Sequence, residues 1–279
     1  TPKFSRDAKR RRLQRVVRPR FGGNMAEKVT IGNAELWHGD CREILAGMAE
    51  NSVNWCVTSP PYNLHKEHHT SPGAATAANA AMSAKYADWY EDDMDEAEYQ
   101  AEQKRVVGEL LRVCTDSVFY NHRIRYAWHA RNKSAPACKV YHPLHWLSDF
   151  PIWCEIIWDR CGGSTPTGRF QQGHELIYQL EKPRRVQKSL GMTDVWRIPA
   201  DTSGTGHVCA FPPRLVENCL LMHAQPGETV IDPYMGSGTV GVVADDLGLR
   251  FVGIERERKY FDIACERIEN EQRQCRLAV

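Results

Sequence analysis

Residues 229–241, Thr-Val-Ile-Asp-Pro-Tyr-Met-Gly-Ser-Gly-Thr-Val-Gly, set a short apolar run before a glycine-rich turn and a helix-compatible run through Val243 and Leu247. A strand, a glycine turn and a helix N-terminus together form a cradle for a nucleotide-like ligand. Gly236, Gly238 and Gly241 spell GxGxxG, and Glu255 ends a second strand-like run 19 residues beyond Gly236, where a carboxylate suits a ribose diol. Only 38 residues follow Gly241, too few to complete a doubly wound sheet. The missing strands must therefore come from the N-terminal side, which puts the cofactor half of the fold last.

A second strand end precedes it. The run Val53-Asn54-Trp55-Cys56-Val57 leads into Thr58-Ser59-Pro60-Pro61-Tyr62-Asn63. Two consecutive prolines fix two φ angles and remove two donors, leaving carbonyl acceptors beside a hydroxyl and an aromatic ring. Such a turn suits a flat molecule bearing an amino group, as an extruded nucleobase would be. Taken alone, the Pro-Pro turn also reads as a surface turn whose tyrosine packs.

Together the two motifs resemble those of the β-class of S-adenosylmethionine-dependent DNA amino-methyltransferases, over roughly residues 34–270. Asp40 in Gly39-Asp40-Cys41 resembles the family aspartate near the cofactor adenine. His207-Val208-Cys209-Ala210-Phe211-Pro212 resembles an element that packs on the cofactor, with Val208 where proline is usual, and His174-Glu175 resembles a motif near the target pocket. The resemblance implies an α/β, Rossmann-like doubly wound methyltransferase sheet in circularly permuted order, catalytic half first. It implies that Ser59 and the Pro60 carbonyl accept the two amino hydrogens of a base flipped from double-stranded DNA, and that Pro61 and Tyr62 complete the catalytic turn, Tyr62 by stacking. It places S-adenosyl-L-methionine against Asp40, Cys41, Phe211, Asp232, Pro233, Met235, Gly236, Ser237, Gly238, Thr239 and Glu255. The base, N6 of adenine or N4 of cytosine, stays open: the serine form of the tetrapeptide resembles N4-cytosine members, whereas Asn63 resembles N6-adenine members.

At 279 residues, 42% hydrophobic and 25% charged, the composition fits one α/β domain with inserts. The net charge of +1 hides a local +8 over residues 1–20. Residues 1–28 are expected to be a basic, disordered tail: a DNA-tethering arm, an organelle address, or sequence upstream of Met25. Residues 29–279 are expected to form the methyltransferase domain, with target-recognition inserts near 64–95 and 182–206. There Lys182, Arg184, Arg185 and Lys188 offer phosphate and guanine donors. No apolar run is long enough to span a membrane, and a cytoplasmic, DNA-associated protein is expected. The ten cysteines form no Cys-x-x-Cys pair and read as reduced core thiols. The His65, His68, His69 and Glu67 cluster reads as a loop rather than a metal site. Trp89, Trp128 and Trp146 would allow a homodimer interface.

Helices are expected at 96–113, Pro143–Phe150, from Pro213 to Met222, and beyond Glu257, the last with Tyr260, Phe261, Ala264 and Ile268 on one face. Three other readings remain: a nicotinamide oxidoreductase using the GxGxxG, a methyltransferase acting on RNA or a protein amide, and a non-catalytic DNA-binding module.

Overall fold

A computed structural model of the chain describes residues 14–17, 20–21, 24–63, 94–127, 139–162, 170, 172–181, 183–185, 191–200 and 211–277. Ten strands share one sheet: β1 (Gln14–Val17), β2 (Glu27–Ile31), β3 (Ala34–His38), β4 (Trp55–Thr58), β5 (Val118–His122), β6 (Ile152–Asp159), β7 (His174–Leu180), β8 (Val195–Arg197), β9 (Thr229–Asp232) and β10 (Arg250–Glu255). Their spatial order is β1-β2-β3-β10-β9-β4-β5-β7-β6-β8. The neighbours from β3 to β5 are all parallel, while β7 runs antiparallel to β5 and β6. The last two strands of the sequence thus lie in the centre of the sheet, and β9 pairs directly with β4.

That position explains their composition. β4 (Trp-Cys-Val-Thr) and β9 (Thr-Val-Ile-Asp) are buried at every residue, as central parallel strands covered on both faces must be. Alternate residues feed two cores. Trp55, Val57, Val230 and Phe251 face α3 (Pro213–Leu221), α4 (Thr239–Asp246) and α5 (Arg258–Leu277). Cys56, Ile231 and Val252 face α1 (Cys41–Ala46) and α2 (Glu96–Val113).

The helices start where their caps place them. Asp95 accepts the Ala97 and Glu98 amides at the head of α2, and Pro213 occupies the first turn of α3, where its missing donor costs nothing. The 143–150 helix is shorter than expected, Leu144–Leu147. The N-terminal stretch departs from its expected disorder: Gln14–Val17 pairs antiparallel with β2 in the register Gln14↔Ile31, its Val16 and Val17 suiting an edge strand. Trp146 is fully buried, so it contributes to the core and not to an interface. Trp89, Trp128 and the 65–69 histidine cluster lie outside the described residues, as do 64–93, 182, 186–190 and 201–206 of the two expected inserts, and residues 207–210.

Packing under the cofactor-type motif is close at Gly241 in α4. A Cβ there would lie 2.5 Å from Ile268 Cδ1 of α5 and 2.7 Å from the Phe251 ring of β10. Gly241→Ala is expected to destabilise the fold by about 1–3 kcal/mol through overpacking, read as a lower urea midpoint with the slope unchanged.

Candidate active site

β4 ends at Thr58, and the turn that follows is held from three sides. Thr58 Oγ1 donates to Asp232 Oδ1 at 2.8 Å, a buried bond that ties the end of β4 to the end of β9. The Pro61 carbonyl accepts from Tyr99 Oη of α2 at 2.7 Å. Asn63, at φ +51°, clamps Met94 with two bonds of 2.9 Å, Met94 N to Oδ1 and Nδ2 to the Met94 carbonyl. Arg125 braces the same corner, donating to both oxygens of Glu96 at 2.7 Å and to the Asn63 carbonyl at 3.2 Å.

Tyr62 reaches inward. Its hydroxyl lies 2.8 Å from Ser59 Oγ, 2.6 Å from Asn121 Oδ1 of β5 and 2.9 Å from Glu175 Oε2 of β7. Ser59 Oγ lies 3.1 Å from the same Asn121 oxygen. Asn121 Nδ2 donates to the Leu176 carbonyl, which fixes the amide so that its oxygen faces the hydroxyls. Glu175 is paired through Oε1 with Arg160 Nη1 at 2.9 Å. Burial pushes the Tyr62 phenol well above its ordinary value, with the Glu175 charge adding to the effect, so it stays neutral. Burial and the nearby Arg125 charge hold His122 neutral, packed 4.6 Å from the Tyr62 ring.

The glycine turn is built around two carboxylates. Asp232 Oδ1 accepts from Tyr234 N as well as from Thr58. Burial raises its carboxyl to about 7, against those two hydrogen bonds and with a contribution from the Glu255 charge. Glu255 takes Gly236 N on one oxygen and Glu257 N on the other; burial raises it too, opposed by those amides. Each Glu255 oxygen therefore keeps a second lone pair. Gly236 and Gly238 have φ of +52° and +80°, a backbone that suits glycine. Arg267 of α5 closes the loop, donating to the Ser237 carbonyl at 2.6 Å and to Ser237 Oγ at 2.8 Å.

The other expected residues divide between the two faces. Asp40 caps α1 and accepts from the Arg42 amide and side chain. Burial would raise its carboxyl, but the Arg42 bonds and charge prevail and hold it below its usual value. The Cys41 thiol is pushed up to about 12 by burial and the Asp40 charge, and bonds Tyr234, so it is no nucleophile. Phe211 lies on the other face, edge-on to Trp158 at 6.4 Å, before α3. The ends of β9 and β10 stand between these groups. Pro233, Met235, Ser237 and Thr239 follow β9 directly, Met235 N bonding the Ile254 carbonyl of β10.

Arg184 and Arg185 are a correction. Arg184 N bonds Asp116 and Arg185 pairs with Glu228 at 3.0 Å, residues that precede β5 and β9. Both arginines thus sit at the sheet end opposite Ser59 and Asp232, because β7 runs antiparallel to its neighbour β5 and delivers the chain there. Sequence reading missed Asn121, Arg160, Tyr99 and Arg267; only Asn121, closing an apolar run, carried a signal.

Known proteins resemble the chain over most of its length. The N6_N4_Mtase family model, described as DNA methylase, matches residues 53–266. Type II methyltransferase M.XycI of Xanthomonas campestris pv. cyanopsidis is 30% identical over 302 residues, covering 93% of each chain. Type II methyltransferase M2.DpnII of Streptococcus pneumoniae is 26% identical, covering 90% of this chain and 96% of its own. In fold, the PvuII DNA methyltransferase (cytosine-N4-specific) superposes with a TM-score of 0.62 at 18% identity, covering 87% of this chain and 92% of its own. TTHA0409 of Thermus thermophilus, complexed with S-adenosyl-L-methionine, gives 0.59 at 24% identity, covering 84% and 92%.

The raised Asp232 carboxyl has a measurable consequence. Between about pH 4 and 7 the native state keeps a proton that the unfolded chain, titrating near the ordinary value, has lost, so stability falls as pH rises through this window. Asp232→Asn keeps an Oδ1 acceptor for Thr58 and Tyr234 and removes the titration. The fall, about 4 kcal/mol at roughly 1.4 per unit of pKa, is expected to be absent from the variant's denaturation midpoints measured across pH 4–7.

Proposed function

We propose how this site works from the premise that the chain belongs to the DNA methylase family: it is an S-adenosylmethionine-dependent DNA amino-methyltransferase, and Ser59-Pro60-Pro61-Tyr62 is its catalytic turn. The observation that carries the reading is the Thr58–Asp232 bond, which sets the Pro-Pro turn beside the glycine turn at adjacent strand ends. Ligands of open α/β sheets bind at such ends.

The amino nitrogen of adenine or cytosine is a poor nucleophile because its lone pair is delocalised into the ring. Ser59 Oγ and the Pro60 carbonyl accept its two hydrogens and draw it towards tetrahedral geometry. The Pro61 carbonyl faces Tyr99 of α2 instead, accepting its hydroxyl at 2.7 Å. Tyr62, its hydroxyl anchored inward, offers the ring for stacking on the base. No covalent intermediate on the enzyme is required, and positioning supplies much of the acceleration.

The donor set fits the cofactor. Asp232 is buried and Glu255 half-buried, both carboxyls raised by burial and with the Glu255 charge adding to the rise at Asp232, an arrangement relieved by a cationic amino-acid group. Glu255 keeps one lone pair per oxygen for a ribose diol, with the Gly236 amide bonded beside it, while the bare Cα of Gly238 lets Ala264 of α5 pack behind the loop. Asp40 and Cys41 with Phe211 flank the adenine side. S-adenosyl-L-methionine, when bound, supplies a methyl group already activated by its sulfonium.

The substrate is DNA. Among the described residues no helix is long and apolar enough to cross a membrane, in keeping with a cytoplasmic, DNA-associated enzyme. The reading is tested by incubating the protein with unmodified genomic DNA and S-adenosyl-L-methionine, digesting to nucleosides, and measuring products by mass spectrometry. N6-methyladenine or N4-methylcytosine is expected, and which of them appears assigns the base. Ser59→Ala is expected to lower the rate by roughly 100-fold, with cofactor affinity unchanged by calorimetry. Methyl label appearing in RNA or protein and not in DNA would send the assignment to those substrates.

A further inference from the structure

We propose that Ser59, Tyr62 and Glu175 form a proton relay that carries the surplus amino proton away from the methylated base, with Glu175 as its terminal acceptor. The inference rests on the assignment of Ser59 as the residue facing the amino group.

Balance requires such an acceptor. As the N–C bond forms, the donor's S–C bond breaks with its electron pair staying on sulfur, and the positive charge moves to the amino nitrogen. That nitrogen must then lose a proton, its N–H pair returning to nitrogen. Ser59 Oγ touches the amino group, but a serine hydroxyl cannot keep an extra proton; it can only take one while releasing its own. From Ser59 Oγ the geometry offers two exits, Asn121 Oδ1 at 3.1 Å and Tyr62 Oη at 2.8 Å. The first is closed: Asn121 is an amide, held oxygen-inward by its bond to the Leu176 carbonyl, and a neutral amide does not retain a proton.

The second continues. Tyr62 Oη lies 2.6 Å from the same Asn121 oxygen, which keeps no proton, and 2.9 Å from Glu175 Oε2, so Tyr62 receives the Ser59 proton as its own passes to the carboxylate. Each oxygen makes one O–H bond and breaks one, and only Glu175 ends changed, from carboxylate to acid. Phenolate formation is disfavoured by burial, which keeps Tyr62 a conductor rather than a store. His122 is not a rival acceptor: its Nδ1 donates to the Arg123 carbonyl, its Nε2 lies 2.7 Å from Tyr99 Oη, and no bond joins it to Ser59 or Tyr62. Arg160 faces Glu175 from the end of β6, with Arg123 beyond Tyr62. Arg160 fixes Oε1, so that Oε2 points at the tyrosine. Its side chain is 30% exposed, giving the pair an edge on solvent where the proton leaves after turnover.

Tyr62→Phe is the sharpest test because it keeps the ring for stacking and the Glu175–Arg160 pair intact while cutting the relay. Single-turnover methylation of unmodified genomic DNA is measured for wild type, Tyr62→Phe, Glu175→Gln and the double variant, in H2O and D2O. Cofactor affinity is measured by calorimetry and DNA affinity by anisotropy. The expected result is a drop of about 100-fold, within the range of a general base, in each single variant at unchanged affinities. The double variant should be no slower than either single, and the solvent isotope effect of the wild type should be lost. Tyr62→Phe methylating at the wild-type rate, or losses that multiply in the double variant, would overturn the relay. Should Glu175→Gln unfold, leaving Arg160 unpaired, Tyr62→Phe alone decides. Ser59→Ala separates the two levels of inference: if it retains full rate, the site assignment itself fails, whereas a slowed Ser59→Ala beside a fully active Tyr62→Phe removes only the relay.

Discussion

One buried bond, Thr58 Oγ1 to Asp232 Oδ1, joins residues 174 apart in sequence. Thr58 is the last residue of β4 and Asp232 the last of β9, so the bond fixes the relative height of the two strand ends from which both functional turns spring. A hydrogen bond to an acidic group inside a protein contributes more than its exposed counterpart because no water competes for either partner. Its cost is visible in the same residue, whose carboxyl is lifted to about 7 by burial. Stability is given up there to keep an acid where the cofactor-type loop begins.

The surrounding structure supports that junction by filling both faces. α5 packs Ala264 and Ile268 against Gly238 and Gly241 and reaches over with Arg267 to the Ser237 carbonyl. On the opposite face α2 contributes Tyr99 to the Pro61 carbonyl, and its first turn holds Arg125 through Glu96. Glu96 in the first turn of α2 is an internal counter-ion, and the Pro-Pro turn hangs on it through Arg125 and Asn63.

What the sequence made legible follows from how local each feature is. α2 was readable as 96–113 because Asp95 caps it and its apolar residues repeat at helical spacing. β4 and β9 were readable because strands buried on both faces are continuously apolar. The stretch Gln14–Val17 was not, since its charge reads as disorder and only pairing with β2 orders it. The Tyr62 network was illegible for a different reason. Asn121, Arg160 and Glu175 come from β5, the end of β6 and β7, and converge only because β7 runs antiparallel between the other two in one register. The same reversal misled in the opposite direction at Arg184 and Arg185, whose charges suggest DNA but which the chain carries to the far end of the sheet.

Charge accounts for why acids stand on both sides of the reaction plane. A cationic methyl donor becoming neutral, with an amine methylated, must yield one proton. In the proposed reaction Asp232, buried, and Glu255, half-buried, favour positive charge on the cofactor side before transfer, while Glu175 favours it on the base side afterwards. Arg160 sets the balance at Glu175: a carboxylate at 6% exposure has little water to solvate its charge, and the guanidinium supplies the counter-charge that water cannot. With Oε1 held in that pair, Oε2 remains the oxygen that receives the proton arriving through Tyr62. Asn121 at the branch point completes the logic, since a carboxylate there would take the proton beside the methylated nitrogen, whereas an amide passes the task to an acid one residue farther from the product.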